Sequence, residues 1–170
     1  MVVCTICKIN QGLKTNADKV LQTHLDRNLV SNVNISDGIF IISEQELRNL
    51  KLSNDERRFV KPFFKNSDIT SYFTNSIPTS YVLYITKDNY ITTNQKNLLA
   101  HFNKFKNILR NIAEVEPNGR INVYSLTRPR NEIMYKSEKI VCPLWSRFNN
   151  FGYNIIDWYA ATDVTYITIK

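Results

Sequence analysis

Apolar, β-branched residues recur along this chain in short pieces, and no regular pattern joins them. Residues 2–9 (VVCTICKI), 38–43 (GIFIIS), 80–86 (SYVLYIT), 121–126 (INVYSL), 139–144 (KIVCPL) and 164–170 (VTYITIK) each read as a strand. Only one segment keeps a long helical period. Leu98, Leu99, Phe102, Phe105, Ile108, Leu109 and Ile112 follow i, i+3, i+4, i+7 spacing and predict a helix over 92–115, stopped by the Pro-Asn-Gly turn at 117–119. Ser43-x-x-Glu46 and Ser53-x-x-Glu56 have the capping-box spacing, so each opens a short helix, and Pro62 limits the second. The polar turn around Gly12 leads toward another short helix. Many short strands with few helices, without β-α-β alternation, place the chain in the α+β class rather than among doubly wound sheets.

The 170 residues, 43% hydrophobic and 12% aromatic, suffice for one domain with a real core. No apolar run approaches the ~18 residues of a membrane-crossing helix, so no membrane partner is expected. The first residues lack a basic region followed by a long apolar run, which speaks against a signal peptide. Three cysteines form no disulfide framework, and a reducing, cytoplasmic setting is expected. The strand reading of the last seven residues suggests a fragment of a longer protein.

The net charge is +7 and it is uneven. Residues 1–85 carry 10 Lys+Arg against 8 Asp+Glu, giving +2, whereas residues 86–170 carry 12 against 7, giving +5. A basic surface of this kind fits a polyanion.

The motifs of several enzyme classes are missing. There is no G-x-G for a dinucleotide or methyl-donor loop and no P-loop. The Asn/Asp-Pro-Pro-Tyr/Phe loop that holds a flipped adenine is also missing. Asp37, Glu44 and Glu46 are the nearest approach to a nuclease-like acidic cluster and read better as charges at a helix start. Cys4-x-x-Cys7 has no second ligand pair, and His24 and His101 lack ligand spacing, so no metal site is expected.

The basic residues gather around three sequence blocks. "INQGLKTNADKV" (9–20) contains Lys14, Thr15 and Asn16. "RFVKPFFKNSDITSYF" (58–73) contains Lys61, Lys65 and Tyr72. "VYSLTRPRNEIMYKSEKIVCP" (123–143) contains Arg128, Arg130, Lys136 and Lys139. Pro129 stiffens the Arg-Pro-Arg segment, and extended backbone there directs both guanidiniums to one side. Arginine suits either a phosphate or the O6/N7 edge of guanine. The competing reading pairs these arginines with Glu132 or Glu138. A polar, aromatic loop (145–154, WSRFNNFGYN) adds Arg147, Asn149, Asn150 and Asn154. Phe63 and Phe64 read as core rather than as base-stacking groups, and Asp68 as a turn-fixing residue.

Taken together, these blocks resemble the TaqI-like C-terminal specificity domain. This is the target-recognition domain of N6-adenine DNA methyltransferases and of type IIG restriction-modification enzymes. Gly12, Thr15, Asp18, Lys19 and Val20 match its opening loop. Lys61, Pro62, Lys65, Asp68, Ile69 and Tyr72 match its middle block. Tyr124, Leu126, Arg128, Arg130, Lys139, Ile140 and Val141 match its last block. Asn16 and Asn66 stand where the family commonly has glycine, a mild departure because Asn tolerates positive φ.

The resemblance covers nearly the whole chain. It implies an α+β fold with an irregular, double β-helix-like mixed sheet and a few helices, spanning residues 1–170 as a single recognition domain. It also implies double-stranded DNA as partner and a methyltransferase domain of the same polypeptide as the catalytic unit. The domain itself then has no catalytic residues, metal or cofactor. S-adenosylmethionine, and Mg2+ if the parent also cuts DNA, belong to the absent catalytic domains. The DNA-binding residues expected are Lys14, Thr15, Asn16, Lys61, Lys65, Tyr72, Arg128, Arg130, Lys136, Arg147 and Asn149. The alternatives are a basic RNA- or protein-interaction module and, less favoured, a small nuclease.

Overall fold

The structure is a computed structural model that describes residues 6–113 and 123–169. In chain order the first elements are β1 (Cys7–Gln11), α1 (Gln22–Asp26), β2 (Ile41–Ser43), α2 (Glu44–Asn49), α3 (Asn54–Arg57) and β3 (Val60–Phe64). A 3-10 turn at Asn66–Asp68 precedes β4 (Ile69–Thr70), β5 (Phe73–Thr74) and β6 (Ser80–Leu83). Then follow α4 (Lys96–Lys104), α5 (Lys106–Ala113), α6 (Ile133–Lys136), β7 (Lys139–Pro143), β8 (Gly152–Asn154), β9 (Tyr159–Ala160) and β10 (Val164–Ile169). The α+β class holds: short, mostly antiparallel pairings with a few helices.

The described residues divide into two compact units, each assembled from separate stretches of chain. The first draws on residues 6–14, 62–79 and 128–169, the second on residues 15–61, 80–113 and 123–127.

In the first unit, β1, β10, β7 and β8 form a four-stranded antiparallel sheet in that order. Along β10, Val164, Tyr166 and Thr168 are buried while Ile169 is exposed, the alternation of a half-covered strand. β3 pairs with β9 in parallel, Phe63 opposite Tyr159 and Phe64 opposite Ala160, and β4 with β5 makes a small hairpin. Aromatic rings fill the core. Phe64 stacks on Trp158 at 4.8 Å, and Tyr135 packs on Tyr159 at 4.4 Å and on Tyr166 at 5.3 Å. Their polar atoms all find acceptors: the Trp158 indole donates to Asn75 O (3.0 Å), Tyr166 to Trp158 O (3.1 Å) and Tyr135 to Pro129 O (3.1 Å).

Lys139, a strand residue, is 2% exposed. Its Nζ donates to Ser137 O (3.0 Å) and Ile156 O (2.7 Å). Burial pushes its pKa down to about 8, against a smaller upward pull from Asp157. The lysine matched in the last block is therefore a tie between two loops.

In the second unit, β2 pairs antiparallel with β6. Ile39, Phe40, Ile42, Val82, Leu83, Ile85, Leu98 and Phe102 form its core. Both capping boxes form: Ser43 Oγ accepts the Glu46 N–H and Ser53 Oγ the Glu56 N–H, and each Glu accepts its serine's N–H in return. Glu56 goes further. Only 1% exposed, its carboxylate also accepts the Asn97 N–H (2.7 Å), the Asn97 side-chain amide (2.9 Å) and the Leu98 N–H (3.0 Å) at the start of α4. Burial alone raises a carboxyl pKa; here these hydrogen bonds outweigh it and hold the group at about 2.

Several expectations are corrected. The single helix over 92–115 is two, α4 and α5, parted at Phe105, whose ring is buried against His101 at 5.3 Å; residues 114–115 lie outside the described part. The periodicity expected of one helix survives the break: Leu98, Phe102, Phe105, Ile108 and Leu109 are all buried. Residues 123–126 turn instead of forming a strand, although Leu126 N–H still bonds Ile85 O (2.9 Å). The segment 38–43 is strand only from Ile41, because the N–H groups of Ile39, Phe40 and Ile41 converge on Asp18 O. Residues 2–5 also lie outside the described part. β3, β8 and β9 were not legible as strands.

Candidate functional site

The opening loop and the Arg-Pro-Arg segment meet in the first unit. Lys14 N–H donates to Arg128 O (2.9 Å) and Arg128 N–H to Lys14 O (3.1 Å). One residue earlier, Leu13 N–H donates to Ala160 O (3.0 Å). Successive residues of extended chain direct their backbone groups to opposite sides, so Arg128 and Ala161 flank the Lys14 segment. β3 runs parallel to β9 on its other side. The order across is Arg128, Lys14, Ala161 and the end of β3, where Lys65 follows. Gly12 permits this approach: a Cβ there would lie 2.1 Å from Ala161 O and 2.3 Å from Ala160 O. Lys14, Lys65 and Arg128 are exposed, and none of their side chains forms an ion pair among the described residues.

Arg130 is built differently from the expectation. Its φ is +64°, so the segment is not extended there, and the two guanidiniums do not follow strand alternation. Its Nε donates to Gly12 O (3.4 Å), which draws the guanidinium toward the opening loop. Lys136 pairs with Glu132 at 3.1 Å, and Glu132 also accepts the Tyr159 hydroxyl (2.8 Å). Glu132, one of the two acids considered as partner for the arginines, thus holds Lys136, and Lys136 is half-committed.

In the second unit, Thr15 donates its hydroxyl to Asp18. Asn16 donates to Ser125 O (3.1 Å) and accepts from the Thr127 hydroxyl. Asn16 and Asn66 have ordinary φ, so tolerance of positive φ does not account for them. Asn16 thus braces residues 125–127 through its side-chain amide. Lys61 is half-buried within β3.

A second group lies at the β4–β5 turn and the β7–β8 loop of the first unit. Ser71 and Tyr72 form the turn, with Tyr72 at φ +66° and 85% exposed. Asp68 fixes its base by accepting the Lys65 N–H (2.8 Å). Ser71 Oγ reaches Asn150 Oδ1 at 3.4 Å, and a Cβ on Gly152 would lie 2.1 Å from the Thr74 methyl, so turn and loop adjoin. Arg147 and Asn149 are exposed. Asn154, named as a hydrogen-bonding group of this loop, is buried and donates to Thr74 Oγ1 (2.9 Å). Trp145 and Phe148, 87% and 75% exposed, were passed over in the sequence; a tryptophan in an asparagine-rich loop was the available signal.

Of the three acids read as charges at a helix start, Glu44 and Glu46 lie in the first turn of α2 and Asp37 lies in the loop before β2. Glu46 accepts from Gly38 and Ser43, Glu44 pairs with Arg48 and Asp37 accepts the Asn34 N–H. No group of three or more His, Cys, Asp or Glu among the described residues is arranged to hold a metal ion. No helix among them is long and apolar enough to cross a membrane. Compared with known proteins, the chain matches no family model and no curated protein, so the family resemblance rests on its three motif blocks.

Proposed function

We propose that this chain recognises double-stranded DNA, as the target-recognition domain of an N6-adenine methyltransferase or a type IIG restriction-modification enzyme. The observation that carries the reading is the reciprocal backbone pairing of Lys14 with Arg128. It joins the first and last motif blocks and sets two unpaired cations side by side, with Lys65 of the middle block two strand positions away. Lys14 and Lys65 hold phosphates; Arg128, on a proline-stiffened segment, reads a guanine or a phosphate. The finer fold is the irregular, double β-helix-like one of that family. Catalysis, with S-adenosylmethionine and any Mg2+, resides in a methyltransferase domain of the same polypeptide, in the cytoplasm.

The test is selection from a randomised duplex library of ~30 base pairs at low and physiological salt. Salt-sensitive binding with one short motif enriched is the expected result. Salt-sensitive binding without enrichment reduces the reading to a phosphate-holding surface, and absence of binding overturns it.

A protein-interaction module is the second reading. Ile9, Ile167, Ile140 and Tyr153 stand opposite one another across all four strands of the first unit's sheet. Ile9, Ile140 and Tyr153 are exposed, an apolar row of the kind that packs against another protein.

A further inference from the structure

The β4–β5 turn and the β7–β8 loop carry large exposed aromatic side chains that pack into no core. Tyr72, Phe73, Trp145 and Phe148 are each more than 60% exposed. The turn and the loop adjoin through Ser71, Asn150 and Gly152. Arg147 of the loop is exposed and forms no ion pair among the described residues. Acidic residues are few: residues 139–156 contain no Asp or Glu, Asp68 spends its carboxylate on the Lys65 N–H and the Asn75 side chain, and Asp163 stands at the base of the loop, where its O accepts the Leu144 N–H (2.7 Å). Tyr72 is also held at positive φ, where a bulky residue is strained and glycine or asparagine is the usual choice. Planar rings beside a cation, with few anions near, match the faces of unstacked bases joined by phosphates. A protein surface of average charge offers no such match.

We propose that this turn and loop form a stacking platform for unpaired nucleotides, with Tyr72, Trp145 and Phe148 as the rings and Arg147 at a phosphate. The inference rests on the DNA-recognition reading and adds a second mode to it. The Lys14–Arg128 surface holds duplex, while the platform holds bases that have left the stack.

Trp145 supplies its own reporter. The chain has two tryptophans, and Trp158 is fully buried on Phe64. Emission of the 170-residue protein would be followed during titration with oligo-dT, with an intact duplex and with the same duplex carrying a short unpaired gap. Binding would be measured in parallel by anisotropy of labelled DNA. Quenching by oligo-dT and gapped duplex, absent in Trp145→Phe, is the expected result. Phe148→Ala and Tyr72→Ala should each weaken oligo-dT binding by about 5- to 150-fold, the range for losing one stacked base. Duplex binding without quenching by any probe overturns the platform and leaves the DNA reading intact. No binding of any nucleic acid overturns both. Trp145 emission that responds only to lipid vesicles or to protein concentration overturns the platform and assigns these rings to a membrane surface or to a second copy of the chain.

Discussion

Lys14 and Arg128 hold each other through main-chain atoms alone, at 2.9 and 3.1 Å, which leaves both side chains at liberty. Side-chain truncation should therefore separate binding from folding. Arg128→Ala and Lys14→Ala are expected to leave the melting temperature unchanged. If the contact is to phosphate, each lowers the slope of log affinity against log salt by about 1. Arg128→Pro removes the N–H and should lower both stability and affinity. Thermal melts beside salt titrations on duplex DNA decide it.

Asn16 braces the stretch it faces through Ser125 O and the Thr127 hydroxyl. Asn16→Gly, the residue of the resembling family, should destabilise the fold by about 1–3 kcal/mol, because two buried-side partners lose their bonds. Duplex affinity measured well below the melting temperature should stay within about twofold of the parent's, since 0.4 kcal/mol covers a factor of two.

Glu56 has a folded pKa of about 2 against an ordinary 4.5. A depressed carboxyl pKa contributes stability that is complete above the unfolded value and is lost as pH falls toward the folded one. The protein should accordingly weaken between pH 4.5 and about 2. Glu56→Gln should be less stable at neutral pH and show a flatter acid limb in urea denaturation. An unchanged acid limb in the variant would assign that loss to other carboxylates.

Lys139 gives the mirror case. Its folded pKa of about 8 lies below the ordinary 10.5, so the charged form is disfavoured in the fold. Its contribution is full above pH 10.5 and is lost as pH falls through about 8. Stability should rise over that interval in the parent and not in Lys139→Met, as read by denaturant midpoints at pH 7.5, 9 and 10.5.

Tyr72→Gly sets stability against binding. Glycine relieves the positive φ at 72 and should leave the fold unchanged or more stable by up to ~1 kcal/mol. The same change removes a ring from the proposed platform and should weaken oligo-dT binding.

What the sequence disclosed depended on range. The capping boxes at Ser43 and Ser53 were legible because all their partners lie within three residues. β7 and β10 were legible from their β-branched runs. β3 and β9 were not, since Phe64 pairs with Ala160 through a contact that no local pattern encodes. The break at Phe105 was hidden because its ring continues the apolar stripe of the helices on both sides. Of the candidate residues, Lys14, Lys65 and Arg128 were found where cations stand exposed. Asn16 and Lys136 proved to be engaged by distant or neighbouring groups that charge and motif spacing do not reveal.

Among the described residues, the first strand finds its neighbour only in the last. β10 sits between β1 and β7, and unit one is completed by residues 128–169, after every stretch of unit two has been synthesised. Synthesis therefore leaves β1 waiting, with an open edge, until Val164–Ile169 emerge. A chain halted or cleaved before Val164 keeps unit two's residues whole but exposes two unmatched strand edges. Such edges recruit other chains, so premature termination should yield aggregates and not a smaller working protein.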